Sequence, residues 1–264
     1  MRLLSRLSKL RPAYRMAHAY PGVQQIGGPN YLRLLGFDVR APIGGHFSQF
    51  GQDRFVAAEI LPAIDAEGFG RLFVDVGCNE PIVHSNSYYF EQTLGFEVLA
   101  IDALSEIKQL WEEKRPKSEV LITAVGEVSG EVSFDVVSGE EQNSMFSSVS
   151  GSSSKAPISA RRTRTVGVRT LAEIFSERNI SRVAILSMDI EGYELPALKG
   201  LNFAAAQVGA LIIENNGNAG MGSDQLRELL LVHGYVYWAR IWNFDDIFVH
   251  PSVARHLTRP AVPQ

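Results

Sequence analysis

The stretch Leu72-Phe73-Val74-Asp75-Val76-Gly77-Cys78-Asn79-Glu80 decides how the rest of the chain is read. Leu72 to Val76 is a short apolar run rich in β-branched and aromatic residues. It is too short for a buried helix and reads as a buried strand. An acidic side chain, Asp75, stands at its end, and Gly77 lets the backbone approach a ligand closely. A helix is predicted before it, over 52–64. Another is predicted after it, capped by Ser85 or Asn86 and stopped at Gly95.

Further along, the pattern repeats. Glu97 to Ile101 reads as a strand ending at Asp102. Ser105 caps a helix in which Ile107, Leu110 and Trp111 share a face and which Pro116 bars from continuing. Val120 to Val125 is a third strand, and 131–136 and 162–168 are two more. The serine- and glycine-rich stretch 138–155 between those two shows no periodicity and reads as a loop, either a lid or a plain connection. Thr170 and Glu173 form a capping box opening a helix to Glu177. The strand Val183 to Met188 ends at Asp189, and a helix follows Gly192 and stops at Gly200. The strand Gly209 to Ile213 ends at Glu214-Asn215, and a helix spans Ser223 to His233. Two extended segments, 235–241 and 245–250, close the pattern as a hairpin.

Repeated β-α-β connections force a parallel sheet covered on both faces. The expected fold is therefore α/β, a doubly wound, mostly parallel seven-stranded sheet with a C-terminal antiparallel hairpin and a small inserted β-hairpin. Three regions are expected: an N-terminal helical or irregular extension over 1–45, the main domain over 46–252, and a tail over 253–264. Within the extension, Leu3, Leu4, Leu7 and Leu10 lie at helical spacing in a basic segment. They suggest a small amphipathic helix that packs on the domain or a partner, or touches a membrane weakly.

Composition narrows the function classes. The chain has 264 residues, 45% of them hydrophobic, and a formal net charge of −4. That balance carries no electrostatic footprint for nucleic acid. The basic cluster Arg161-Arg162-Thr163-Arg164 reads first as a solvated strand face, with an anionic substrate or membrane surface as the alternative. Cys78 is the single cysteine, which fits a reducing compartment and an expected cytoplasmic location. No apolar run approaches the roughly 20 residues of a membrane helix. The partners expected are a small-molecule or glycan acceptor, with a second copy of the chain as an open possibility.

Ligands of such sheets sit beyond the carboxyl ends of the strands. Four predicted strands end there in an acidic residue: Asp75, Asp102, Asp189 and Glu214. Each alone could cap a helix; four at one sheet edge suggest a site. The first loop lacks the further glycines of a dinucleotide fingerprint, having Asn79 and Ile82 instead. A pyrophosphate therefore lacks its usual cradle. A cofactor with an amino-acid end and an adenosine end fits better, with Asp75 and Asn79 toward the former and Asp102 holding the ribose diol.

These residues resemble the FkbM family of methyltransferases. The resemblance spans roughly 46–250 and runs through Ser48-Gln49-Phe50-Gly51-Gln52-Asp53, the Phe73–Asn79 stretch, Ser85-Asn86-Ser87-Tyr88-Tyr89-Phe90-Glu91 and Ala124-Val125-Gly126. It is sharpest at Ser187-Met188-Asp189-Ile190-Glu191-Gly192-Tyr193-Glu194, followed by Leu198-Lys199-Gly200. It implies a class I methyltransferase fold, S-adenosylmethionine as donor, and a hydroxyl acceptor on a sugar, glycan or secondary metabolite. The cofactor-binding residues it implies are Gln52, Asp53, Asp75, Gly77, Cys78, Asn79, Asp102, Ala103, Ala124, Val125 and Asp189. The chain departs from the family at Glu80-Pro81, where the loop often carries a small residue or glycine.

Methyl transfer to an alcohol requires the acceptor oxygen to be aligned and its proton removed. The candidate bases are Asp189, Glu191 and His84. A divalent metal such as Mg²⁺ is the alternative route, with Asp189, Glu214 and Asn215 as three oxygen ligands from adjacent strand ends. A nucleotide-dependent oxidoreductase and a non-catalytic binding protein are the rival functions.

Overall fold

The computed structural model describes residues 23–26, 45–137, 147–150, 161–216 and 222–258. The expected N-terminal amphipathic helix lies outside the described residues, as does the 138–155 loop except for 147–150.

Twelve strands alternate with eight short helices among the described residues. The strands are β1 (Gln24–Ile26), β2 (Leu72–Val76), β3 (Glu97–Asp102), β4 (Glu119–Ile122), β5 (Ala124–Val125), β6 (Gly130–Val137), β7 (Ser148–Val149), β8 (Arg161–Arg169), β9 (Arg182–Met188), β10 (Gln207–Glu214), β11 (Val236–Ile241) and β12 (Asp245–Val249). The helices are α1 (Gln52–Phe55), α2 (Leu61–Ala66), α3 (Tyr88–Leu94), α4 (Lys108–Lys114), α5 (Leu171–Glu177), α6 (Glu194–Lys199), α7 (Asp224–Val232) and α8 (Pro251–Ala254). The predicted helix over 52–64 is not uniform. Val56–Ile60 is a widened π turn ahead of Pro62, whose missing N–H cannot complete the ordinary ladder.

The main sheet has eight strands in the order β1-β11-β12-β10-β9-β2-β3-β4. The expectation of a mostly parallel, seven-stranded sheet is corrected here: the sheet is mixed. β12 runs antiparallel to both β10 and β11, as the closing hairpin requires. The eighth strand is β1, from the stretch assigned to the extension, which pairs parallel to β11 at the sheet edge.

The period of two along each strand divides the core into two layers. Phe73, Ile185 and Ile212 pack on one face with Ile60, Ile64, Phe90 and Trp111 of the first helices. Val74, Leu186 and Ile213 pack on the other with Leu171, Phe175, Leu198, Leu226 and Leu230 of α5 to α7. Both faces are thus covered, as the doubly wound pattern demands.

The second correction concerns the inserted hairpin, which is part of a four-stranded sheet, β5-β8-β6-β7. The predicted strand 120–125 breaks at Thr123 to supply it. The Thr123 N–H still donates to the Asp102 carbonyl of the main sheet (2.8 Å), while its hydroxyl donates to the Gly167 carbonyl (3.1 Å). Ala124 and Val125 then pair with β8 instead. Ser148–Val149, expected as loop, pairs with Phe134 and Asp135 of β6.

Candidate active site

A cleft of about 550 Å³ opens beyond the carboxyl ends of β2, β3 and β9, where the topology places ligand sites. Its floor is Gly77, Asn79, Asp102 and Asp189; its wall comes from the second sheet through Phe134, Ser147 and Val149. Its lining includes Asp102, Asp189 and Glu191 and, among the described residues, no Lys, Arg or His.

Gly77 is held at φ 78, and a Cβ there would stand 1.8 Å from the Asp189 carbonyl oxygen. The close approach read from the sequence as ligand to backbone is therefore backbone to backbone. The Asp189 N–H donates to the Val76 carbonyl (3.0 Å) and Gly77 N–H to the Ile101 carbonyl (2.8 Å). One glycine lets three strand-end loops meet.

Asp102 sits at the junction. Asn79 N–H donates to its Oδ2 (3.0 Å) and Leu104 N–H to its Oδ1 (2.8 Å), and the Ala103 N–H adds to them, which fixes the carboxylate. Burial raises its pKa, against the pull of these N–H donors. Asn79 has φ 37, and its carbonyl accepts from the Trp111 indole (2.6 Å), so the loop is pinned from two sides. Ala103, Leu104, Thr123, Ala124 and Val125 continue the lining beside Asp102 and make that end of the cleft largely apolar. Cys78 is buried, and its thiol is pushed well above the usual range by that burial and by Asp102 and Asp75.

Asp75 does not line the cleft. It is buried on β2 beside Ser87 and Arg115, and burial raises its pKa to about 6. Arg115 anchors the segment after the loop: it donates to Glu91 (2.7 Å), the Pro81 carbonyl (3.1 Å) and the Ser87 hydroxyl (2.9 Å). The Glu80-Pro81 departure is thereby accommodated. Glu80 Oε2 accepts the Ile82 N–H (2.7 Å) and the Val83 N–H, which makes a capped turn.

Asp189, at the end of β9, is exposed to the cleft. The next residues carry a strained turn, with Glu191 at φ 53 and Gly192 at φ 94. Glu194 braces it: its Oε1 accepts the N–H of Ile190 and of Gly192, each at 3.0 Å. Carboxylate oxygens of Asp189, Glu194 and Glu214 lie within 4.8 Å of one another. Burial and the charge of Asp189 raise Glu194 to about 7. Burial, then Asp189, Glu194 and Glu191, push Glu214 far above the carboxylate range. Asp245, buried and opposite Glu214 in the ladder, is raised by burial and by Asp189. Crowded like charges retain protons to higher pH than isolated carboxylates.

The remaining sequence candidates fall elsewhere. His84 is exposed at φ 63, forms an isolated bridge with Ser48, and does not line the cleft. Asp53 is fully buried and caps the preceding loop, taking the N–H of Phe47 (2.7 Å) and Ser48 (3.3 Å). Gln52 donates to Asp245 (2.8 Å) and so braces the acidic group from behind. Asn215 is turned away: its amide donates to Asp246 (2.7 Å), and its Oδ1 accepts the Ser223 N–H. Of the oxygen set expected from Asp189, Glu214 and Asn215, Asn215 is thus engaged elsewhere, and the Glu194 carboxylate lies beside Asp189 and Glu214 instead.

Glu194 and Asp245 are not among the site residues singled out from the sequence, and Tyr193, which also lines the cleft, is not either.

Among the described residues, no helix is long and apolar enough to cross a membrane. A search of curated proteins finds no match. Two solved structures are similar: a methyltransferase FkbM from Methylobacillus flagellatus, 17% identical with a TM-score of 0.41, and a TehB-like SAM-dependent methyltransferase from Corynebacterium glutamicum, 14% identical with a TM-score of 0.38. The alignment to the first covers 69% of this chain and 44% of that one, so the chain spans less than half of its length; the second covers 84% and 93%. Residues 75–237, more than half of the chain, match the methyltransferase FkbM domain. The chain therefore belongs to the FkbM methyltransferase family.

Proposed function

We propose that the chain transfers a methyl group from S-adenosylmethionine to a hydroxyl of a sugar, glycan or secondary metabolite. The observation that carries this reading is the cleft itself: Asp102, its carboxylate fixed by backbone N–H donors, lies beside an apolar stretch at one end, and Asp189 and Glu191 stand at the other. The donor set fits an adenosine with a cationic neighbour. Asp102 would hold the ribose hydroxyls, Ala103, Leu104 and Val149 would flank the base, and the carboxylate end suits a cation. A dinucleotide fits less well, because the space over Gly77 is filled by the Asp189 carbonyl and the loop offers no phosphate cradle.

When bound, the cofactor supplies an already activated methyl group; the protein supplies alignment and a proton acceptor. Asp189 is the base in this reading. Its backbone is fixed by Val76 and by the packing over Gly77, and the residue lines the cleft with its carboxylate bonded to Glu214. Glu194 holds the following turn in place. A second reading rests on one observation, the proximity of Asp189, Glu194 and Glu214, whose oxygens could hold a divalent cation that lowers the hydroxyl's pKa.

The test is a screen for methyl transfer from labelled S-adenosylmethionine to nucleotide sugars, glycans and metabolite extracts. An acceptor hydroxyl should become labelled by wild type. Asp189→Asn should lower the rate by about 10²-fold or more. Activity that survives chelator favours the base; activity lost to chelator and restored by Mg²⁺ or Mn²⁺ favours the metal. Near wild-type turnover by Asp189→Asn would remove the residue from the mechanism.

A further inference from the structure

The second sheet walls the cleft, yet it leaves the main sheet at one end only. Its near end is continuous with β4 through Thr123, and Val168 and Arg169 pair there with Ala124 and Val125. Arg169 also pairs with Glu177 at that end. The cleft-lining rings lie toward the other end. Phe134 stands directly opposite Arg164 in the β6–β8 ladder and opposite Val149 in the β6–β7 ladder, so the three side chains share one face. Phe134 and Val149 line the cleft.

From that face Arg164 reaches across to the loop after β3. Its guanidinium donates to Glu106 Oε1 (2.6 Å) and Oε2 (3.0 Å) in a fork, and to the Ala103 carbonyl (3.3 Å). Ala103 and Leu104 line the opposite wall of the same cleft. Arg164 holds the Glu106 carboxyl below its ordinary range. Within the basic cluster, Arg162 is exposed whereas Arg164 is half-buried and committed. Of these two arginines, one is solvated and the other bridges.

We propose that Arg164 is a positioning residue that latches the second sheet over the cofactor cleft through Glu106 and the Ala103 carbonyl. The bridge spans the two walls at the register of Phe134, so breaking it frees the wall that carries Phe134 and Val149. The consequence is kinetic: a ligand in the cleft leaves faster, while its entry is little changed. The pair is partly solvent-facing, with 31% and 61% of the two side chains exposed, so salt weakens it. The effect on ligand release rests on reading the cleft as the cofactor site; the effect on the sheet does not.

The experiment uses the full chain and S-adenosylhomocysteine, whose association and dissociation are followed by surface plasmon resonance at low and high salt. Arg164→Gln and Glu106→Gln should each raise the dissociation rate about three- to ten-fold, the scale of one well-formed partly exposed ion pair, with association within about two-fold. The reversed pair, Arg164→Glu with Glu106→Arg, should restore slow dissociation at low salt. High salt should speed release from wild type and leave Arg164→Gln unaffected. Unchanged dissociation in folded single variants, or no recovery in the reversed pair, overturns the latch. Hydrogen exchange of the ligand-free protein gives a second readout. The amides of Val132 to Val136 should exchange faster in Arg164→Gln than in wild type, and equal exchange overturns the proposal. A wild type that fails to bind S-adenosylhomocysteine overturns the cofactor reading, and the ligand-free exchange then decides the latch by itself.

Discussion

Replacing Gly77 with alanine adds one methyl group at the point where three strand-end loops meet. The new Cβ would lie 1.8 Å from the Asp189 carbonyl oxygen, 2.8 Å from its carbonyl carbon and 3.0 Å from Ile190 Cγ2. Ordinary contacts begin near 3.5 Å, so the backbone at Asp189 must retreat by roughly 1.5 Å. An L-residue at φ 78 adds about 1–2 kcal/mol, and forcing a methyl group into a filled space adds about 1–3 kcal/mol. The loop resists the shift, because Asp189 is bonded to Val76 and Glu194 holds Ile190 and Gly192. The upper half of the sum applies, a loss of about 3.5–5 kcal/mol. Asp189 and Glu191 line the cleft from this loop, so ligand alignment should suffer with it, on the order of 10²-fold for a displacement of about 1 Å. Urea unfolding reports the first effect, and calorimetric titration with S-adenosylhomocysteine reports the second. A Gly77→Ala protein within about 0.5 kcal/mol of wild type and with unchanged affinity would refute the packing argument.

Asp102→Ala should weaken S-adenosylhomocysteine binding by about 1–3 kcal/mol with the fold intact, measured by the same titration; unaltered affinity would remove Asp102 from the ribose role. Asp75 titrates near 6 in the folded protein against an ordinary value of 3.8. The native state then holds more protons than the unfolded chain between those two values, and stability falls as pH rises through them, by about 3 kcal/mol at 1.36 kcal/mol per unit. Asp75→Asn should lose that slope in urea titrations from pH 4 to 6.5, and an unchanged slope would assign the titration to another group. Asp246 joins Arg227 (2.8 Å), Arg240, Tyr237 and Asn215 in a fully buried network beneath the hairpin. Asp246→Ala leaves the buried Arg240 guanidinium without its carboxylate and Arg227 with only the exposed Asp224, and should cost about 3–5 kcal/mol in thermal or chemical unfolding; a loss under 1 kcal/mol would mean that water or neighbouring carbonyls replace it.

The strand ends were legible because burial on both faces makes each parallel strand a short apolar run, and the residue that ends the run marks the sheet edge. Asp102 and Asp189 reach the cleft for that reason. Asp75 shares the pattern but is directed into the layer beneath, toward Ser87 and Arg115, and nothing in a period of two distinguishes a last buried residue from a first exposed one. Asn215 is held elsewhere: Ser223, eight residues on, and Asp246, thirty-one residues on, take its amide. Glu194 was overlooked because its role is made by a turn with two successive positive φ values, which spacing does not reveal. The break at Thr123 likewise depends on a hydroxyl finding the Gly167 carbonyl 44 residues away. Local pattern reports elements and edges; which polar group turns inward is settled by partners that arrive from elsewhere in the chain.

The most direct test of the central claim is calorimetric titration of the folded wild-type chain with S-adenosylmethionine and with S-adenosylhomocysteine, without any acceptor. The account predicts saturable one-site binding in the micromolar range, about −8 kcal/mol, that Asp102→Ala weakens. The absence of heat with either compound from protein that unfolds cooperatively, or tighter binding of NAD(P)H than of both, would contradict it.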